Sequence, residues 1–488
     1  MKITLKNILI LAAVVVLLGC AALWLFLSPV KGEETTTGTS VIDKLVTPKL
    51  TNFNQYDIAE IEVQNDKSEI IITCPANESG VFGILGGEAY AGALDTDKLS
   101  ITEQGLRSLA VIDTVEKNPT DLAVYSLAEP LATVTITLRD GSSVKLSVGM
   151  SLPDGSATYV MKDGDDTVYT IAKTATAYLT ERKEFFYSTT LTAAYDQTSP
   201  ILPYDLHFSG SAVTETDITA IRERFGGDRS NGIGMYQMNE PYEFELDTDA
   251  ASALMFGFYG LNAAGVVKVG ATDADRDKWL LTSPTVTTQM TDNEGKTVGL
   301  TIGGVSTDAL GNVALYCEYS EYPGVVYLIE QKNLPWLTPD YTKLAQKSFA
   351  MPSIYAVSRI EAAVGDKRLS FTLTSKDKDD DTLVIKMNGK EQDKAYFKKL
   401  YGYLIGIKAE TLAKTTEKVG MTKVGDVAFY LTSGDKLDIV LYESPENENR
   451  YIVEFGGVML YEVRKAYLEG LQKNIAAYET GGEILTRY

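Results

Sequence analysis

Histidine is almost missing from this chain, with His207 the only one. That count removes the usual general base of Ser-His-Asp and Cys-His sites and leaves too few nitrogen ligands for a histidine-rich zinc centre. Cysteine is nearly as scarce. Cys20, Cys74 and Cys317 cannot build a disulfide framework. Cys74 and Cys317 stand in the strand-like runs IIITCP and ALYCEY, where two lone buried thiols are expected. Positive charge is in deficit as well. There are 45 Lys and Arg against 66 Asp and Glu, for a net charge of −21. Such a surface repels phosphate backbones, which excludes nucleic acid as a partner, and it opposes flat docking of the body on anionic lipid. Long apolar runs are lacking too, with one exception.

The exception is ILILAAVVVLLGCAALWLFLSPV, Ile8 to Val30, which carries no charge. As a helix it would be about 34 Å long, enough to cross a bilayer core. Lys2 and Lys6 precede it, and Glu33 and Glu34 follow Lys31. The excess of positive charge before the run places the N-terminus in the cytoplasm and the rest of the chain outside. Within the run, LLGC (Leu17 to Cys20) resembles the lipobox of bacterial lipoproteins, with Cys20 as the residue that would be lipidated. AALWLFL follows Cys20 where lipoproteins turn polar, so the uninterrupted span is the leading reading and the lipoprotein the alternative. Either one tethers the chain to the outer face of the same membrane. Residues 1–30 are thus read as an anchor or uncleaved signal and 31–50 as a polar linker, opening with KGEETTTGTS.

Beyond the linker the sequence repeats. RDGSSVKLSVG followed by ATYVMKDGDDTVYTI matches DNEGKTVGLTIGG followed by ALYCEYSEYPGVVYLI, and both match TSGDKLDIVLY followed by RYIVEFGGVMLYEV. Each passage has a glycine-containing turn, then alternating apolar residues, then a second hairpin. Period-two alternation marks half-buried strands. Upstream, LDTDKLSITEQGLRSL, LDTDAASALMFGF and KEQDKAYFKKLYGYL each begin with an acid suited to capping a helix. The outer copies open on strand pairs, IAEIEVQNDKSEIIIT and VSRIEAAVGDKRLSFTLTS. Closing helices are expected in KTATAYLTERKEFF and KAYLEGLQKNIAAY; the middle one, NLPWLTPDYTKLAQ, is interrupted by prolines. The expected fold class is α+β: a transmembrane helix, then about three tandem modules, 51–195, 196–345 and 346–488. Each module is an antiparallel meander sheet with one or two packed helices.

Between helix and meander in the first copy lies NPTDLAVYSLAEP, Asn118 to Pro130. It reads as a joint: Asn118 caps a short turn, Pro119 fits its first position, Pro130 ends it, and Leu122, Tyr125 and Leu127 face the core. Together with the strand and the Asp140-Gly141 hairpin, expected as a type I′ turn, this stretch resembles the bacterial domain-of-unknown-function family four-three-four-zero. Asp121-Leu122, Tyr125, Leu127, Pro130 and Asp140-Gly141 match its pattern, and Ser126 stands where the family often has glycine, so that turn is expected to differ. The resemblance runs from about Asp57 to Leu191. It implies an exported, membrane-anchored protein whose genes often lie beside those of ABC-type transporter components, and it supplies no activity and no catalytic residues.

The remaining motifs are decoys. His207 sits in the strand-like YDLHFSG, and GKT at Gly295 to Thr297 and the Ser-x-x-Lys matches Ser142–Lys145 and Ser375–Lys378 fall in turns or charged loops. Asp377, Asp379 and Asp381 have the spacing of a calcium loop, as do Asp273, Asp275 and Asp277, but both lack its glycine and final glutamate. No catalytic, cofactor-binding or metal-ligating residue is assigned, and no cofactor is expected. The expected function is that of a non-enzymatic accessory, scaffold or binding subunit. It is held at the cytoplasmic membrane by residues 8–30 and has ABC-type transporter components as its protein partner. The alternative is a cell-envelope glycan- or peptide-binding module or hydrolase.

Overall fold

The computed structural model describes residues 48–227, 232–307, 311–376, 379–413 and 418–488. The Ile8–Val30 run and Cys20 lie outside them, and among the described residues no helix is long and apolar enough to cross a membrane. Leu50–Tyr488 is one compact α+β unit built on three antiparallel sheets.

In the first sheet we number the strands β1 (Ile58–Asn65), β2 (Glu69–Thr73), β3 (Gly83–Ile84), β4 (Val111–Lys117), β5 (Ala132–Leu138), β6 (Ser143–Ser151), β7 (Ala157–Lys162) and β8 (Thr167–Ala172). Their order across the sheet is β3-β2-β1-β5-β6-β7-β8-β4. The second sheet (strands between Pro203 and Glu330) and the third (between Val357 and Arg464) repeat that order, each with one further two-residue strand beyond the counterpart of β3. The internal repeat is therefore a repeat of topology. It includes strands before the helix in the middle copy too: Pro203–Ser209, which holds the strand-like YDLHF run, and Thr216–Ala220, which the sequence pattern does not announce.

Alternation sets which face is covered. Ile61 and Val63 of β1, Ile70 and Ile72 of β2, Val134 and Ile136 of β5 and Leu146 and Val148 of β6 are all buried. The acid before each helix acts as expected. Asp95, Asp247 and Asp393 accept the N–H of Lys98, Ala250 and Tyr396 at the starts of Thr96–Arg107, Thr248–Met255 and Lys394–Leu404. Of the closing helices, Lys465–Thr480 forms in full. The middle one is broken into short turns, and the first is only Lys173–Thr176 and a 3-10 turn at Lys183–Phe186. Thr174, Thr176 and Thr180 are β-branched, and the Thr176 hydroxyl bonds to the Lys173 carbonyl, competing with helix propagation.

Local geometry departs from expectation at the joint and its hairpin. Asp121, not Asn118, caps the 3-10 turn Leu122–Tyr125, while Asn118 takes φ +52°. Ser126 takes φ +55°, a left-handed conformation that glycine adopts freely. Leu127 is buried but lies outside the main core, and Leu122 and Tyr125 are half-buried. In the second module the corresponding residues, Trp279 and Leu281, form a small separate cluster with Val326. The joints thus pack apart from the main core. The Asp140-Gly141 turn has only Gly141 at positive φ (+88°). Gly141 N–H donates to Leu138 C=O and Leu138 N–H to Ser142 C=O, a type I turn closed by a glycine bulge rather than type I′. Asp292–Lys296 and Leu431–Asp435 repeat both bonds around Gly295 and Gly434.

Recurring clips pin the segment that leads into a module. Leu50 N–H donates to Leu109 C=O at 2.8 Å, and Leu191 N–H donates to Leu261 C=O at 2.9 Å. The next residue, Thr51 or Thr192, donates its hydroxyl to Leu106 or Phe258 C=O and accepts the Leu109 or Leu261 N–H. Further along, Thr189 C=O accepts from Ala263 N–H and Lys347 C=O from Ala409 N–H, both at 2.8 Å, so the two junctions use the same bond.

Candidate functional site

The second clip holds the segment after Leu191 against the second sheet and leaves a cleft between them of about 510 Å³. That volume falls in the range of small-molecule sites. Tyr195 enters from the linker, with its ring centroid 5.0 Å from Phe256 and 5.7 Å from Tyr259. Tyr259 is fixed by donating its hydroxyl to Ile201 C=O at 2.7 Å. Tyr319, Met290 and Val298 come up from the sheet floor.

Charge surrounds this apolar floor. Lys296 pairs with Glu321 at 2.8 Å, and that bond raises the lysine's pKa. Asp292 accepts the N–H groups of Glu294 and Lys296, each at 2.9 Å, so it braces the glycine turn at Gly295. Asp196 is held below the usual carboxylate range by the hydroxyl and N–H of Thr198. Burial pushes Tyr259 up to about 12, with the charge of Asp292 and Tyr195 adding. Burial likewise pushes Tyr319 well up. At neutral pH the cleft therefore presents uncharged phenols, carboxylates and one ammonium. It offers ring faces and hydrogen-bonding groups, with no histidine base or activated nucleophile among its lining residues. This is chemistry for binding a hydroxyl- or amide-rich ligand.

A smaller cavity of about 220 Å³ lies beside the helix Thr96–Arg107 and is lined by Cys74, Glu103 and Arg107. Burial pushes the Cys74 thiol up to about 12, with Glu103 adding, so it is not a ready thiolate. Burial also raises Glu103, and Arg107 at 3.8 Å opposes that shift. Cys317 is buried in the second sheet, and both cysteines are free.

The residues singled out from sequence do not converge. His207 is a half-buried strand residue paired with Asp217 and Gln289 across the sheet. Asp273–Lys278 is a helix with a Thr272–Asp275 capping box, and Arg276 pairs with Asp273 and Glu318. In the other acidic run, Asp377 lies outside the described residues; Asp379 accepts from Thr382, and Asp380 from Tyr355 and Lys398. Among the described residues no group of three potential metal ligands occurs. Ser142 bonds to Asp140 and Ser375 to Thr382, as turn residues do, and Gly295 of GKT is the hairpin bulge. The cleft tyrosines Tyr195, Tyr259 and Tyr319 were not evident from sequence. The one available signal was the echo of Leu50-Thr51 in Leu191-Thr192, which marks where the linker is pinned.

Comparison with curated proteins and with solved structures returned no match. A family model does match, and its span is informative. It opens at the 3-10 turn Glu88–Ala93 and closes at Pro284, the counterpart of Pro130 in the second joint. Residues 88–284 match the family described as Domain of unknown function (DUF4340), which bears out the resemblance carried by the Asp121–Gly141 pattern.

Proposed function

We propose that this chain is a membrane-anchored extracytoplasmic protein and not an enzyme, acting as an accessory or scaffold subunit of an ABC-type transport system in the cell envelope. The observation that carries the reading is the threefold repetition of one sheet topology with recurring junction bonds. Stacking copies of one module extends the surface available to partners. The charge-free Ile8–Val30 run and the acidic body support the placement. Two measurements test it. Protease added to intact spheroplasts is expected to digest the body; protection of the C-terminal region overturns the topology. The tagged chain, extracted in mild detergent, is expected to co-elute with a permease and an ATPase; elution alone overturns the transporter association.

The tyrosine cleft favours one second reading, a cell-envelope glycan- or peptide-binding module. Titration with wall-derived oligosaccharides and peptides is expected to quench or shift tyrosine fluorescence, and Tyr195→Ala is expected to abolish the effect. An identical response in that variant removes this reading.

A further inference from the structure

Among the described residues the first sheet ends at β4, and no strand is paired beyond it. Its counterpart in the second sheet, Gly265–Val269, is also a terminal strand, but the first module covers it. The Arg182 guanidinium donates to Val266 C=O at 2.6 Å, and Val266 is 3% exposed. The Tyr90 ring lies over the adjoining turns: a Cβ on Gly324 would sit 3.0 Å from it, and one on Gly270 3.7 Å. One arginine and one tyrosine thus close the open side of the next module.

On the first module no described residue covers the same face. Every residue of β4 after Val111 is exposed, including Ile112 at 60% and Val115 at 38%. Gly164, which turns the β7–β8 hairpin as Gly324 turns its counterpart, has nothing within 4 Å of where its Cβ would point. The strand and the hairpin carry Asp113, Glu116, Asp163, Asp165 and Asp166 against Lys117 and Lys162, so the face is acidic. Self-association is disfavoured twice. Two register shifts break the β4 ladder, between Val111 and Asp113 and between Thr114 and Glu116, and bulges spoil an edge for strand addition. Two copies would also bring like-charged faces together.

We infer that the β4 edge and the Lys162–Asp166 turn form a docking surface for a different polypeptide. That partner offers a basic, aromatic segment which places a guanidinium on the β4 backbone and a ring over Gly164, as Arg182 and Tyr90 do on the second sheet. The inference rests on the scaffold reading, although its test does not depend on which side of the membrane the body lies.

The test places a photo-cross-linking amino acid at Ile112 in the full chain, in native membranes. The cross-linked segment is identified by mass spectrometry, synthesised and used as the probe in fluorescence anisotropy. The expected result is a segment of another protein containing arginine and an aromatic residue. The corresponding peptide should bind the purified full chain, weaken with added salt, and lose at least tenfold in affinity to an Ile112→Lys, Val115→Lys variant. Ile112→Thr, Val115→Thr, which keeps strand propensity, should lose affinity in the same direction if the lysine variant is unstable. Cross-links confined to the chain itself or to a second copy, cross-links to an acidic segment, no cross-link, or a peptide indifferent to both variants would each overturn the inference. The spheroplast digestion reports separately on the topology.

Discussion

Gly303→Ala is expected to cost more than its single methyl group implies, because of where the joint presses on the sheet. A Cβ on Gly303 would lie 2.2 Å from the Trp279 carbonyl oxygen and 3.1 Å from Leu281. That carbonyl accepts Gly304 N–H at 2.7 Å, and the Trp279 ring stacks on Tyr316 at 5.4 Å. Relieving the overlap moves the joint by about 1 Å, at the expense of a hydrogen bond worth about 1 kcal/mol and much of an aromatic contact worth about 1 kcal/mol. With some exposure of Leu281 the expected loss is about 2–4 kcal/mol. Gly141→Ala is the control. Its φ of +88° penalises a side chain, but nothing lies within 4 Å, so about 1 kcal/mol is expected. Gly149→Ala should resemble Gly303→Ala, since its Cβ would meet Tyr125 O at 2.1 Å. In the third sheet the corresponding position is Tyr442, and its pairing with the following strand, Arg450–Phe455, runs without the register shift seen beside Gly149 and Gly303. On this strand pair, glycine and bulge come together in two copies and are missing together in the third. The assay is guanidinium unfolding of the full chain in detergent, followed by tryptophan fluorescence. A loss for Gly303→Ala no larger than that for Gly141→Ala, with unchanged emission, would refute the reasoning.

Three further outcomes follow from the structure. Asp95→Ala, Asp247→Ala and Asp393→Ala each remove one helix cap and are expected to cost about 1 kcal/mol apiece, adding in the triple variant because the sites share no partners; strong non-additivity in denaturant melts would contradict this. Glu245→Ala removes the carboxylate that pairs at 2.6 Å with the Arg224 guanidinium, which is 5% exposed, so a loss of about 3 kcal/mol is expected in the same melts. Burial pushes Tyr187, Tyr259 and Tyr478 up to about 12, from an ordinary value near 10. Folding therefore favours their protonated forms: the contribution is intact below pH 10 and is lost as pH rises through about 12. Phenolate absorbance and circular dichroism should change together over that window, and free titration of these groups near pH 10 in a folded chain would refute it.

What could be read in the sequence was whatever depends on near neighbours. Ile61, Val63, Ile70 and Ile72 alternate because one face of a sheet is covered, and that needs only a period of two. Asp95, Asp247 and Asp393 cap helices through bonds reaching three residues. The errors begin where a distant contact decides. Asn118 and Asp121 are equally good caps by type, but Asn118 N–H is drawn to Asp166 C=O at the end of the β4–β8 pair, and Asp121 takes the cap. The Asp140-Gly141 dipeptide suits a type I′ turn, yet the bond from Leu138 N–H to Ser142 C=O sets a longer loop with a bulge. The cleft depends on Tyr195 meeting Phe256 and Tyr259 across a junction, and no local pattern encodes that.

The junctions also bear on what the smallest self-sufficient piece of this chain is. The family match contains no complete copy of the second sheet, because it stops before the strand Val286–Asp292. It does contain both sides of the first junction: Tyr90 and Arg182 on one side, Val266 and Gly270 on the other. The segment that matches as a unit is therefore offset from the sheets and centred on the seam between them. Physically, a sheet whose terminal strand is closed by the preceding module cannot be cut free without exposing Val266 and opening its carbonyl to solvent. Among the described residues the terminal strand of the first sheet carries no such cover, and that is what distinguishes it from the terminal strand of the second.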